Sequence, residues 1–302
     1  NWSICTDTGV NLLEPGDSPM ENAQFLLFLA AVIKAVDTHQ DLLRISVATA
    51  GNDHRLGANE APPAIVSMYV GDELEKVLDC LSNGTDYSKC DRPQMEIGVD
   101  VLPRFPKDST DRNRTSPFAF TGNKFEFRML GSSLSISGPN IVLNTIITEA
   151  LDEFATELEQ AEDFQSALQD LIKRTVKAHK RIIFNGNNYS EEWVQEAERR
   201  GLLNLASTAD ALPLFVSEKN IRLFTKYGIL SEREIRSRCD LLLENYCKTL
   251  TIEALVLTDM VKKNILPAVI AYAGSISNAA MLKKSFVGEG AVIVERNLVR
   301  RL

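Results

Sequence analysis

Apolar and polar residues follow two rhythms along this chain, and the rhythm changes near residue 139. After a turn-rich start (Gly9, Pro15, Gly16, Pro19), residues 21–36, ENAQFLLFLAAVIKAV, are apolar almost all round a helical wheel and predict a mostly buried helix. Glu21 falls in its first turn, where negative charge suits the helix dipole. The run APPAIVSMYVGDELEKVLDCLS predicts a strand and then a short helix. MEIGVDVLP alternates with Met95, Ile97, Val99 and Val101 on one face, as a strand does. Residues 103–123 read as irregular, and NKFEFRML as another strand.

From residue 139 the period is helical. PNIVLNTIITEALDEFATELEQ starts with Pro139 near a helix N-terminus and repeats Ile141, Ile146, Leu151, Phe154 and Leu158. QSALQDLIKRTVKAHKRII continues helical. SEEWVQEAERRGLL predicts a helix capped by Ser190 and stopped by Gly201. SEREIRSRCDLLLENYCKTLTIEALVLTDMVKKNIL is a very long helical pattern that Pro267 should break.

Charge narrows the partners. Asp plus Glu (41) outnumber Lys plus Arg (33), for a net −8, which argues against broad binding to nucleic acid or to an anionic membrane surface. The longest uninterrupted apolar run, FLLFLAAVI at 25–33, is too short to cross a bilayer. Five cysteines without a CxxC pair fit a reducing, cytoplasmic setting better than a disulfide framework. NWSICTDTGV reads as the middle of a domain, and ERNLVRRL stops without a helix-ending signal. The expectation is a piece of a longer protein, with part of any active site outside it.

Candidate chemistry gathers in three segments. AGNDHRLGANEAPP (50–63) packs Asn52, Asp53, His54, Arg55, Asn59 and Glu60 into what reads as a loop between glycines and prolines. DRNRTSPFAF supplies Arg112 and Arg114, whose planar forks suit phosphate or carboxylate oxygens. If NKFEFRM is a strand, Lys124, Glu126 and Arg128 share one face, and Phe125, Phe127 and Met129 the other. From that strand alone two readings stand: an exposed face of cross-strand ion pairs, or an inward-facing carboxylate for a hard divalent metal flanked by cations for anionic oxygens. Taken together, the three segments could hold a polyanion and metals, as phosphoryl transfer requires. Neither GxxxxGK[ST] nor GxGxxG occurs, so a P-loop or Rossmann site is unsupported. His54, His39 and His179 lack metal-ligand spacing and read as structural.

These residues carry a resemblance. AGNDHRLGANEAPPAIVS resembles the segment of glutamine synthetases that binds glutamate and forms the flap over the active site. RNRTSPFAF and NKFEFR resemble that family's NRS and RIEVR segments, and NWSICTDTG the sequence just after its glycine-rich ATP loop. NGNNYSEEWVQEAERRGLLNL, TADALP and KKNILPAVI are similar to the type III members. The resemblance runs along essentially the whole chain. It implies an α+β fold: a curved antiparallel sheet with helices over residues 1–139, the C-terminal part of the catalytic domain, then a mainly helical C-terminal region over 140–302. It implies ATP-dependent ligation of ammonia to glutamate through γ-glutamyl phosphate, with ATP and Mg2+ (or Mn2+), in a homo-oligomer of stacked rings whose sites lie between subunits. Neither a nucleic acid nor a membrane partner is expected.

Position by position, the resemblance makes Ser3 an ATP contact, Arg55 the holder of substrate glutamate, and Glu60 the flap carboxylate that closes over it and helps ammonia become a nucleophile. It makes Arg114 the arginine facing the transferred phosphate, Lys124 a cofactor contact, Glu126 a metal ligand and Arg128 the arginine at the substrate end of the strand. Two departures stand out. Lys124 replaces an arginine, keeping charge and losing the fork, and SPFAF (Phe118, Ala119, Phe120) lacks the arginine of the better-known types, so that either another cation such as Arg112 substitutes for it or the type III members handle that phosphate differently. The family's other metal ligands and its small N-terminal domain would lie upstream of Asn1, so the chain alone is expected to be inactive.

Overall fold

The computed structural model describes residues 1–16, 18–83 and 115–301. Its helices are α1 (Ala23–Thr38), α2 (Gln40–Ile45), α3 (Ala50–Arg55), α4 (Asp72–Asn83), α5 (Ser137–Glu159), α6 (Phe164–His179), α7 (Glu191–Arg199), α8 (Thr208–Ala211), α9 (Glu218–Lys226), α10 (Glu232–Met260), α11 (Leu266–Val287) and α12 (Ile293–Arg301). Three short strands, β1 (Met68–Tyr69), β2 (Phe118–Phe120) and β3 (Phe125–Phe127), form one sheet in that order. The protein is thus mostly helical with a small mixed sheet.

Helix α1 packs against α5 and α6 and is buried on nearly every side, as its all-round apolar sequence requires. Phe25, Leu29, Val32, Ile33 and Val36 are fully buried. Asn22 sets its start by accepting from the Phe25 amide at 3.0 Å. Glu21, expected in the first turn of α1, instead ends a 3-10 turn (Pro19–Glu21) just ahead of that cap.

The sheet departs from the expected antiparallel arrangement. β2 and β3 are antiparallel, but β1 and β2 are parallel, with Met68 opposite Phe118. A long connection carrying α4 separates β1 from β2 in the chain, and such a crossover permits parallel pairing where a hairpin does not. Between β2 and β3, Gly122 adopts φ +89, the left-handed conformation that two-residue hairpin turns demand. The Thr121 amide donates to the Lys124 carbonyl at 2.8 Å to close the turn. Single bridges widen the sheet: Trp2 exchanges two 2.8 Å backbone bonds with Phe125, and the Phe184 amide donates to Met68. Under it, Phe118 and Phe125 stack at 4.6 Å, and Phe120 meets Phe25 of α1. β2 lies within residues 103–123, which read as irregular. The expected strand at 95–103 lies outside the described residues.

The junction of α1 and α2 is polar yet buried. Asp37, His39, Gln40, Asp41 and Arg44 are each 4% exposed or less, and each holds a different later segment. Asp37 accepts from His179 and Arg181, both at 2.8 Å. Asp41 accepts from Lys219 at 2.7 Å and Asn220 at 2.8 Å, and Gln40 from the Leu203 amide at 3.0 Å. His39 Nε2 lies 2.6 Å from the Glu149 carboxylate of α5, and this bond holds the Glu149 pKa below the usual carboxylate range. A lowered folded-state pKa stabilises the fold above the unfolded value, and that contribution fades as pH falls through the folded one. The stability gap between wild type and Glu149→Gln is therefore expected to be widest near neutrality and to narrow below the usual carboxylate range. Urea titrations at a series of pH values measure it, and a gap that stays constant into acid contradicts the assignment.

The helical region follows the sequence closely at α7. Ser190 accepts from the Trp193 amide at 3.2 Å, and Gly201 follows the helix at φ +71. Along α5, Ile146 and Phe154 are buried as expected, but Ile141 is exposed and Val142 and Leu143 take the inner face instead. The hydrophobic core includes residues on both sides of residue 139, among them Met129 and Val142. The compact units are Asn1–Leu243 and Glu244–Leu302. In the second, Pro267 does not break the helix. The residues just before it, Val261–Ile265, form a π-helical turn, and the helix continues to Val287. A π turn shifts the hydrogen-bond register, and so accommodates the donor that proline lacks. Among the described residues this one helix is long and apolar enough to cross a membrane, by length and composition only, which counting uninterrupted runs misses.

Candidate active site

Strand β3 presents the face that alternation predicts. Phe125 and Met129 are fully buried, and Phe127 is half-buried against the core. Lys124, Glu126 and Arg128 lie on the opposite face, all half-buried. Arg128 places Nη2 at 2.8 Å and Nε at 3.2 Å from one Glu126 oxygen. Opposite Glu126 on β2 stands Ala119, which is fully buried.

The two ends of the strand differ. At the turn, Ser3 Oγ lies 2.7 Å from Asn11 Oδ1 and 3.2 Å from the Asn123 carbonyl, beside the Trp2 bridge. Lys124 Nζ sits 3.3 Å from Asn123 Oδ1. At the far end Arg55 donates to the carbonyls of Arg128 (2.9 Å) and Met129 (3.0 Å) and to Asn52 Oδ1 (3.0 Å). Four residues of strand separate Lys124 from Arg128, about 13 Å at the usual rise. Arg128 thus links the other two, its backbone carbonyl accepting from Arg55 and its guanidinium bonding Glu126, while Ser3 and Lys124 lie by the turn.

Residues 50–63 are not all loop. Thr49, extended, caps α3 by accepting from the Asn52 amide at 3.3 Å, so AGNDHR is helical. Asn52 and Arg55, one turn apart, both donate to the Met129 carbonyl. Asp53 accepts from Arg44 at 2.7 Å and from the Thr208 amide and hydroxyl at 2.6 and 2.9 Å. Asn52 and Asp53, named in the sequence among the candidates of this stretch, support Arg55 and its helix, and Arg44, which the sequence did not single out, holds Asp53. The Thr-x-x-Asn capping pattern was the available signal. Beyond α3, the Gly57 amide donates to the Pro62 carbonyl at 2.9 Å and closes a small loop with Glu60 exposed near its tip. His54 is exposed. Arg112 and Arg114 lie outside the described residues.

Glu126 suits a hard divalent cation, since such ions take carboxylate oxygens. Among the described residues no group of three or more His, Cys, Asp and Glu side chains could hold a metal, so these residues offer one ligand rather than a full set.

Residues 167–284 match the glutamine synthetase C-terminal domain. The chain is 52% identical over 92% of its length to the type-3 glutamine synthetase of Dictyostelium discoideum. It is 45% identical over its whole length to a glutamine synthetase of Butyrivibrio fibrisolvens, and 40% identical over 96% to that of Bacteroides fragilis (strain YCH46). It spans 38%, 43% and 41% of the lengths of these three relatives. On identities of 40–52% over 92% or more of its length, the chain belongs to the glutamine synthetase family, among its type-3 members.

Proposed function

We propose that this chain supplies the glutamate end and part of the phosphoryl-transfer face of a glutamate–ammonia ligase. The observation that carries the reading is the joined set of Arg55, Glu126 and Arg128 at one end of β3. A carboxylate is a poor electrophile until one of its oxygens becomes a good leaving group. Transfer of the ATP γ-phosphoryl to the glutamate side chain achieves that, and ammonia then displaces phosphate from γ-glutamyl phosphate. Arg55 and Arg128 hold and neutralise the substrate carboxylates. Lys124 and Ser3, about 13 Å along the strand, face the nucleotide. Arg114 faces the phosphoryl in transit. Glu126 serves as one ligand of Mg2+ or Mn2+, whose charge stabilises that of the phosphoryl oxygens when bound. Glu60 closes over the substrate and takes a proton from ammonium.

The partners of this reading are glutamate, ammonia, ATP and further copies of the chain in stacked rings, in a reducing cytoplasm. The test is phosphate release by a chain of the relatives' full length. Release should require glutamate, ATP and ammonia together, and glutamine should appear in equal amount. Phosphate release indifferent to ammonia overturns the ligase reading. One observation favours a second reading: three of the five Arg55 donors already bond within the fold, as in a scaffold that keeps its arginine for packing. A protein with no turnover under these conditions would support that reading.

A further inference from the structure

We propose that Tyr189 is a positioning residue for Glu60, latching the lid loop from the helical C-terminal region. The inference rests on the reading of Glu60 as the lid carboxylate. The Tyr189 hydroxyl donates to the Glu60 backbone carbonyl at 3.0 Å, across 129 residues of sequence.

The place of that bond in the loop gives it leverage. Glu60 is the last exposed residue before the chain goes inside, since Ala61 is 4% exposed and Ile65 and Val66 are 1% exposed. On the other side, Gly57 turns at φ +78 and bonds to Pro62. Residues 58–61 therefore pivot between a left-handed glycine and a buried anchor, and Glu60 sits at the outer edge of the anchor. A bond to its carbonyl sets the direction in which its side chain leaves the backbone.

Tyr189 is held firmly enough to act as a reference point. Its neighbour Asn188 is fully buried, accepts from Ser67 Oγ at 2.7 Å, and donates from its amide to Thr115 Oγ1 at 3.0 Å. On the other flank Ser190 caps α7, and Trp193 of that helix stacks on Phe184 at 3.9 Å. The backbone around Tyr189 is thus tied to the sheet segment on one side and to a packed helix on the other. The tyrosine itself is 40% exposed, so water reaches it and the bond can break and re-form as the lid moves. A permanent weld would be buried.

The opposite end of the stretch is held from the same region. Thr208 donates its amide and hydroxyl to Asp53, two residues before Arg55. Both Tyr189 and Thr208 fall within residues 167–284, the part that matches the C-terminal domain. That domain therefore contributes more than packing to this site: Thr208 fixes the helix that carries Arg55, and Tyr189 biases the lid that carries Glu60.

A partly exposed neutral hydrogen bond shifts a two-state lid by about 3- to 10-fold. In a chain of the relatives' full length, Tyr189→Phe keeps the ring and removes only the donor. Its kcat/KM for ammonia is expected to fall by about 3- to 10-fold, with thermal stability unchanged. The loss should fall on the KM for ammonia, with the KM for ATP unchanged, because only the lid carboxylate has been displaced. In a Glu60→Gln background, Tyr189→Phe should have no further effect, since the latch acts through Glu60 alone. Wild-type kinetics in Tyr189→Phe, with Glu60→Gln crippled, overturn the latch and leave the lid reading standing. An equal loss from Tyr189→Phe with or without Glu60 also overturns it, because the tyrosine then acts elsewhere. Full activity in Glu60→Gln alone sinks the lid reading, and the latch with it.

Discussion

Glu126→Ala in a chain of the relatives' full length is expected to lower kcat by about 100-fold or more and to raise the Mg2+ concentration needed for half-maximal rate. Changing a group that merely supports a metal ligand commonly costs about 10- to 100-fold, so loss of a ligand belongs at or beyond the upper end. The structure makes the expectation specific. Glu126 sits opposite Ala119 on a half-buried face, 23% exposed, with Arg128 forked onto one of its oxygens. On the proposed role, alanine takes away a metal ligand and also the group that Arg128 bonds, so the KM for glutamate should rise as well. Glu126→Gln separates the two effects. The amide keeps the volume and an acceptor for Arg128 but loses the negative charge, so it should lose metal affinity while changing the KM for glutamate little. Stability should change by only about 1 kcal/mol in either variant, since a partly exposed ion pair is worth little. Unaltered turnover and metal dependence in Glu126→Ala would remove Glu126 from the ligand set.

The parts of this fold legible in the sequence are those that carry a period or a cap. β3 was legible because Phe125, Phe127 and Met129 alternate with Lys124, Glu126 and Arg128. Helix α7 was legible because Ser190 and Gly201 bracket it with the chemistry its ends need. β2 had no such signal: all three of its residues are buried, so Phe-Ala-Phe shows no alternation. The parallel pairing of β1 with β2 depends on a crossover, which no local pattern encodes. Helix α3 hides behind Gly51, Asn52 and Asp53, weak helix formers held helical by a threonine cap and by bonds to Met129 and Thr208. Pro267 misled because the rule against proline assumes an α-helical register, and a π turn supplies another. The buried Asp37, His39, Gln40, Asp41 and Arg44 look like helix surface when read by hydropathy, and only their distant partners reveal them as interior. In the candidate site, the alternation that puts Lys124, Glu126 and Arg128 on one face was legible. The supports were not, because each is a contact between segments far apart in the chain.

Arg44→Met is expected to destabilise the protein by about 3–5 kcal/mol, a large fraction of an ordinary folding free energy. Arg44 is 1% exposed, donating from Nε to the Leu205 carbonyl at 2.8 Å and from Nη2 to Asp53 at 2.7 Å. Methionine approximates the volume, so little of the loss comes from a cavity. The loss comes instead from what is stranded: a buried carbonyl at Leu205, and an Asp53 carboxylate, 13% exposed, left with Thr208. Because removing both partners of a buried pair costs less than removing one, Arg44→Met with Asp53→Asn should recover part of the loss. That recovery separates charge burial from simple packing. Asp53 belongs to the same six-residue helix as Arg55, so the damage should also reach function. In the single variant the KM for glutamate should rise at temperatures well below unfolding, while the KM for ATP, read at the other end of β3, should move less. Thermal melts and the two KM values, measured on the single and double variants, decide it. If the double variant is no more stable than Arg44→Met, or both KM values move together, then the buried arginine packs the core without holding α3 and Arg55 in place.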